Sequence, residues 1–266
     1  MNIRQPYSLC AAAALVLAML ACNIPGSAGQ QPTAAATVQP NASGGSQPSP
    51  LPAAAVGPCA NPLMPVVAGA SWTYKTTTSG LKDGSLTRSI KTVSDSGFTS
   101  QDNLGSLTSN GDWKCEAGNL IALQPNGGTT STVSGANIQA DMKTTAMDGI
   151  TLPASVTAGT VWSQTFKLEG TITVHNKSIP TQDDVAQKCT AGPTESVSVP
   201  AGTFNAVRAD CDLKMAITMT LGGAGTPSTI DTQVQMWYAP NVGLVKTVAQ
   251  VSGTTSTLEL TSYNIP

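Results

Sequence analysis

Charge and aromatic side chains are scarce in this chain. Asp, Glu, Lys and Arg make up 11% of its 266 residues and aromatics 4%. Arg4 is the only charged residue before Cys59, and the formal net charge is −2. No basic cluster exists to neutralise phosphates, so nucleic acid is not an expected partner. The single histidine, His175, has no Gly-x-Ser-x-Gly nucleophile elbow to serve. It falls beside Lys177 on the polar face of an alternating segment, where an incidental surface histidine is expected. Close Cys or His pairs of the kind that hold zinc are missing. So are an Asp-x-Asp-x-Asp-Gly calcium loop and a Gly-Lys-Ser/Thr phosphate loop. These absences remove the best-marked enzyme and metal classes. No catalytic residue, metal or cofactor is expected.

Long apolar runs are missing too. The longest, Leu9 to Ala21, would be roughly 20 Å long as a helix, against about 30 Å for a bilayer core. It follows Arg4 and stops at Cys22, as a signal-peptide hydrophobic region stops at its processing site. Met19-Leu20-Ala21-Cys22 resembles a bacterial lipobox. That resemblance implies cleavage before Cys22, lipidation of the new N-terminal cysteine, and an extracytoplasmic protein anchored to the bacterial cell membrane. Residues 1–21 are then a lipoprotein signal peptide. Residues 22–58 are the lipidated cysteine and a tether rich in Pro, Ser, Gly and Ala, with too little apolar surface to offset the entropy of ordering. As a flexible coil the tether would span roughly 30–36 Å.

What is abundant is Thr, Ser, Gly, Ala and Val, a composition suited to strands and turns. From Val207 to Leu221 apolar and polar residues alternate: Val207, Ala209, Cys211, Leu213, Met215, Ile217 and Met219 share one face, and Arg208, Asp210, Asp212 and Lys214 begin the other. Period two over that length reads as a long strand with one buried face. The runs Val161 to His175, Ile230 to Tyr238, Gly243 to Val251 and Thr257 to Tyr263 repeat the pattern. Turn residues separate the runs at Asn126-Gly127-Gly128, Pro200-Ala201-Gly202, Gly222-Gly223, Pro240-Asn241 and Ser252-Gly253. One wet face per strand favours antiparallel pairing. The expected fold for residues 59–266 is mainly β: an antiparallel sheet curved into a half-barrel or open barrel, with few short helices, one of them near Ile138 to Met147. The stretches from Pro65 and from Pro153 echo one another, each with Ala-Gly, two residues and a Trp. Two related halves would account for this, as would the general likeness of strand starts in Thr-rich proteins.

The blocks "VSVPAGTFNAVRADC", "MWYAPNVGLVKT" and "LELTSY", preceded by "LPASVTAGTVW", resemble TapB-type bacterial envelope lipoproteins, a domain-of-unknown-function group. The resemblance covers Pro153 to Tyr263 and, more weakly, the start from Pro62. It implies a curved antiparallel sheet on an exported, anchored protein and transfers no catalytic residues.

Four cysteines remain after processing, Cys59, Cys115, Cys189 and Cys211, and an even number in an exported domain suggests two disulfides. Of three connectivities, Cys59–Cys115 with Cys189–Cys211 is the expected one. A turn centred on Ala201-Gly202 makes partner numbers sum to 403 and leaves Cys189 and Cys211 close together just beyond the paired region. Joining Cys59 to Cys115 would pin the domain's first residues. Three roles remain for such a domain. It is a non-enzymatic lipoprotein holding a lipid or other apolar ligand in a concave sheet, with Met215, Met219 and Met236 as candidate lining. Or it is an adhesive or structural surface module with a filled core. Least favoured is a hydrolase using Asp210 and Asp212, which share a face about 7 Å apart but alternate with Arg208 and Lys214. Asp183 and Asp184 point to opposite faces and cannot act as a pair.

Overall fold

The structure, a computed structural model, describes residues 57–123, 130–135, 138–221, 224–251 and 253–266. The expected signal peptide, Cys22, most of the expected tether and the turns expected at Asn126-Gly127-Gly128 and Gly222-Gly223 lie outside the described residues. Among the described residues, thirteen strands form one antiparallel sheet. They are β1 (Ser71–Thr78), β2 (Gly84–Val93), β3 (Gly97–Leu104), β4 (Leu107–Glu116), β5 (Asn119–Ala122), β6 (Thr130–Gly135), β7 (Ile138–Gly149), β8 (Val161–Val174), β9 (Lys177–Val199), β10 (Gly202–Leu221), β11 (Ala224–Ala239), β12 (Gly243–Val251) and β13 (Thr254–Asn264).

Neighbours in sequence pair almost throughout, and β1 returns to pair with β13. The sheet then comes round on itself. β3 pairs with β4 along its length, and β4 meets β6 at Thr108↔Ser134, while β5 continues along that side of β4 by pairing with residues 113–116. The result is the expected curved antiparallel sheet, brought round into a nearly closed barrel, and no helix occurs among the described residues. Closure spares a sheet its open hydrogen-bonding edges.

The segment near Ile138 to Met147, expected as a short helix, is strand β7. It pairs with β8 from Ile138↔Val174 to Gly149↔Gln164. Its Gln, Ala, Met and Lys favour a helix by propensity, but Ala140 and Met142, two apart, are the residues it buries, and β8 pairs them in that phase.

Inward and outward faces follow the period-two pattern. On β8, Trp162, Gln164, Phe166, Leu168, Ile172 and Val174 are buried, and Ser163, Thr165, Lys167 and Glu169 are exposed. On β1, Trp72, Tyr74, Thr76 and Thr78 are buried. The lower end of the barrel, where β1 begins and β11 turns into β12 at Pro240-Asn241, is sealed by the chain before β1. Leu63, Met64, Val66 and Ala70 enter the main core there, beside Trp72, Leu120 and Leu152. Asn61 ties this segment down: its Nδ2 donates to the carbonyls of Gly118 and Pro153, both at 2.9 Å, and its Oδ1 accepts from Leu63 N. The backbone N–H of Asn241 donates to Pro62 O.

A disulfide joins Cys59 to Cys115, and a second joins Cys189 to Cys211. The register at the second differs from expectation. The turn is Pro200-Ala201, so Gly202 faces Val199. A bulge at Arg208, opposite Gly192-Pro193, then shifts the ladder so that Cys211 lies directly opposite Cys189, inside the paired region. Below that bulge the β9–β10 hairpin bends across its neighbours. Trp237 Nε1 donates to the Glu195 carboxylate, Ala201 N donates to Leu260 O, and Phe204 meets Tyr263 edge-on.

The two echoing stretches adopt one local geometry. Gly69 and Gly159 both have positive φ, 85° and 87°, which glycine adopts without strain. Each precedes a Trp-led strand, and each Trp donates its indole N–H to a backbone carbonyl, Trp72 to Val242 and Trp162 to Thr151.

Candidate functional site

The concave face carries two contrasting polar features. The first is an ion pair between β2 and β3. Arg88 and Asp102 are cross-strand partners. Arg88 Nε donates to Asp102 Oδ1 at 2.8 Å, and Nη2 to Oδ2 at 2.5 Å. This two-pronged geometry is the strong form of a charge-assisted hydrogen bond. Burial lowers the Arg88 guanidinium, but the Asp102 charge and hydrogen bond outweigh that and hold it above its usual range. Tyr74 and Tyr238 sit in the same field. Burial pushes the Tyr74 phenol up, with Arg88 opposing. It pushes Tyr238 up to about 12 against the same opposition. Tyr74 Oη donates to Leu244 O, and Tyr238 Oη contacts Met236 Sδ. The Arg88 and Asp102 side chains keep 23% and 17% of their surface accessible although they face inward.

The second feature is Asp183, near the upper end of the long β8–β9–β10 wall. It lies between Leu168 on β8 and Ile217 on β10. The residue is 2% exposed, and neither carboxylate oxygen has a hydrogen-bond partner. Burial, with a smaller contribution from neighbouring Asp184, pushes its carboxyl up to about 7. A carboxylate removed from water without a partner is costly, and the group answers by staying protonated. Asp184 faces out, 3.3 Å from Lys167, so the adjacent aspartates do lie on opposite faces. The sequence held a signal for this inward carboxyl: Asp183 is in phase with Ile179, Val185 and Cys189.

The structure sets the other candidates apart. Met215 and Met219 pack as half-buried side chains against the upper apolar cluster of Ile172, Val174 and Ile217. Met236 is half-buried over the Cys189–Cys211 cluster. All three lie on the concave wall, and Val234 and Leu213 beside them also keep accessible surface. Asp210 is on the opposite face, bonded to Arg208 at 3.1 Å and to Gln235 at 2.9 Å, and Asp212 is exposed. No buried carboxylate pair forms there. His175 is exposed in the β8–β9 turn with positive φ, as is Asn176, rather than on a strand face. No group of metal-ligating side chains occurs among the described residues.

The DUF3108-like family profile matches residues 69–250. The chain belongs to the DUF3108-like family. Its matched region takes in β1 through nearly all of β12, and so both inward carboxylates. Two solved structures are similar to this family member. One, from Bacteroides fragilis, is described as a candidate exported protein with a YmcC-like fold. It shares 16% identity over 76% of this chain and 98% of its own, with a TM-score of 0.46. The other, from Parabacteroides distasonis, is described as a candidate lipoprotein, with 17% identity over 77% of this chain and 99% of its own, and a TM-score of 0.44. No curated protein matches the chain.

Proposed function

We propose that this DUF3108-like protein is an extracytoplasmic lipoprotein of the TapB type, anchored to the bacterial cell membrane through Cys22, whose barrel binds a lipid or other apolar ligand on its concave face without catalysing a reaction. The anchor rests on the apolar run that ends at Cys22 and on the uncharged tether. The binding role rests on one observation: Met215, Met219 and Met236 line the inner wall of a nearly closed barrel yet remain half-buried. An inward side chain in a filled barrel would be covered. Methionine's unbranched, polarisable side chain suits a surface that must fit irregular apolar shapes. The absence of a paired, buried carboxylate dyad at Asp210 and Asp212 argues against the hydrolase reading.

Two experiments test this. Native mass spectrometry of the purified full chain, with solvent extraction of what co-purifies, should find a bound apolar molecule. A protein that carries none and binds no short-chain alcohol supports the filled-core module instead. Replacing Cys22 with Ala should move the protein out of the membrane fraction, and unchanged anchoring rejects the lipid attachment.

A further inference from the structure

Among the described residues, the two carboxylate oxygens of Asp183 are the only fully buried side-chain nitrogen or oxygen atoms that lack a hydrogen-bond partner. Buried Gln164 donates to Ala122 O at 2.9 Å and accepts from Thr151 Oγ1. Asn61 is satisfied on both its oxygen and its nitrogen. Asp102 has Arg88. Asp183 has neither a donor nor a counter-charge.

Its surroundings are apolar. The side chains flanking it across the ladders are Leu168 and Ile217, and diagonally Phe166, Met215 and Met219. No titratable group of the strands packed on it faces it. Lys143 on β7, Lys167 and Glu169 on β8, Asp184 on its own strand and Lys214 on β10 all lie on the opposite face. Across the barrel, the charges of Arg88 and Asp102 cancel one another.

We propose that Asp183 is the head-group anchor of the ligand site, and that the ligand is an amphiphile with a small cationic amine head and an aliphatic tail. This rests on the reading that the concave face binds an apolar ligand. An ammonium supplies both things the carboxyl lacks, hydrogen-bond donors and a positive charge. An anionic head would be repelled, and a hydroxyl would leave an ionised carboxylate uncompensated. The head reaches the carboxyl by displacing Met215 or Met219, whose side chains change rotamer readily. The tail lies along the aliphatic surface that these residues share with Ile172 and Ile230. Because the amine binds the ionised carboxylate, binding releases the Asp183 proton at acid pH.

The test uses the full chain carrying Cys22→Ala, with octylamine, 1-octanol and octanoate as probes in isothermal titration calorimetry. At pH 8 octylamine should bind at least about tenfold tighter than octanol, the equivalent of one charge-assisted contact. Its affinity should fall about tenfold per pH unit below 7, the slope for one linked proton. Asp183→Asn should abolish both the preference and the slope while octanol binding stays the same. Asp183→Glu should keep the preference, and Asp210→Asn, on the outer face, should change nothing. Equal binding of the three probes by the parent chain, or an amine preference that survives Asp183→Asn in a folded protein, overturns the anchor and leaves the apolar site standing. Failure of all three probes to bind overturns both.

Discussion

The two ends of the barrel treat buried polarity differently. At the lower end every described side-chain polar atom taken fully out of water has its partner. Asn61 and Gln164 are fully bonded, and the Trp72 and Trp162 indoles each find a carbonyl. A disulfide and the stacked rings of Phe98 and Trp113, 5.2 Å apart, complete that end. At the upper end the wall is aliphatic and methionine-rich, and it buries a carboxyl with nothing beside it. Stability explains the first arrangement, since each satisfied buried group avoids a desolvation cost of about 1–3 kcal/mol. It does not explain the second. An unpartnered buried acid costs stability, and residues retained at such a cost are where function is sought.

This contrast can be broken at its strongest point first. Replacing Cys59 and Cys115 together with Ser removes the cross-link that holds the sealing segment. With a sequence separation of 56, the chain-entropy model gives a loss of about 4 kcal/mol. The midpoint of guanidinium unfolding should fall accordingly, and the lower end should gain amide hydrogen exchange before the upper wall does.

The next effect belongs to Asp183 and depends on pH. Burial raises its folded carboxyl to about 7 from the ordinary value of 3.8. Between those values the unfolded chain has released the proton and the folded protein still holds it. Stability therefore falls as pH rises, at most about 1.4 kcal/mol per unit, and levels off above 7. Asp183→Leu should flatten this dependence, so the variant gains most over the parent at pH 8 and least at pH 4. Urea titrations at the two pH values measure it.

Arg88→Met should cost about 2 kcal/mol, because it strands Asp102 on the inner wall. The range for breaking a buried pair is about 3–5 kcal/mol, reduced here because both side chains touch solvent. Arg88→Met combined with Asp102→Leu should recover most of the loss. Smallest of all, Lys167→Ala removes an exposed pair with Asp184 and should change stability by less than about 0.5 kcal/mol.

Much of the wall was legible in the chain. The alternation from Val207 to Leu221 marks β10, and the Pro-Ala-Gly turn with its flanking strands brings Cys189 and Cys211 together. The three-residue error in register at Cys211 came from placing the turn one residue late, which shifts partners by two, and from the bulge at Arg208, which shifts them by one more, depends on how β9 and β10 coil together and leaves only a Gly-Pro trace. β7 was hidden because its composition favours a helix and only pairing with β8 overrides that. Closure of the barrel was not legible, since it depends on β1 finding β13 and on β3, β4 and β6 meeting, contacts between segments far apart in sequence. The methionines' face followed from period two. Asp183 was assigned correctly to the face opposite Asp184, but its lack of a partner emerges only when Leu168 and Ile217 are seen on either side.

The most direct test of this contrast is an NMR titration of the Asp183 side-chain carboxyl carbon in the ligand-free protein. A midpoint near 7 is the predicted result. A midpoint near 4 would mean that the carboxyl is hydrated or partnered in solution, and would contradict the account of an uncompensated acid in the upper wall.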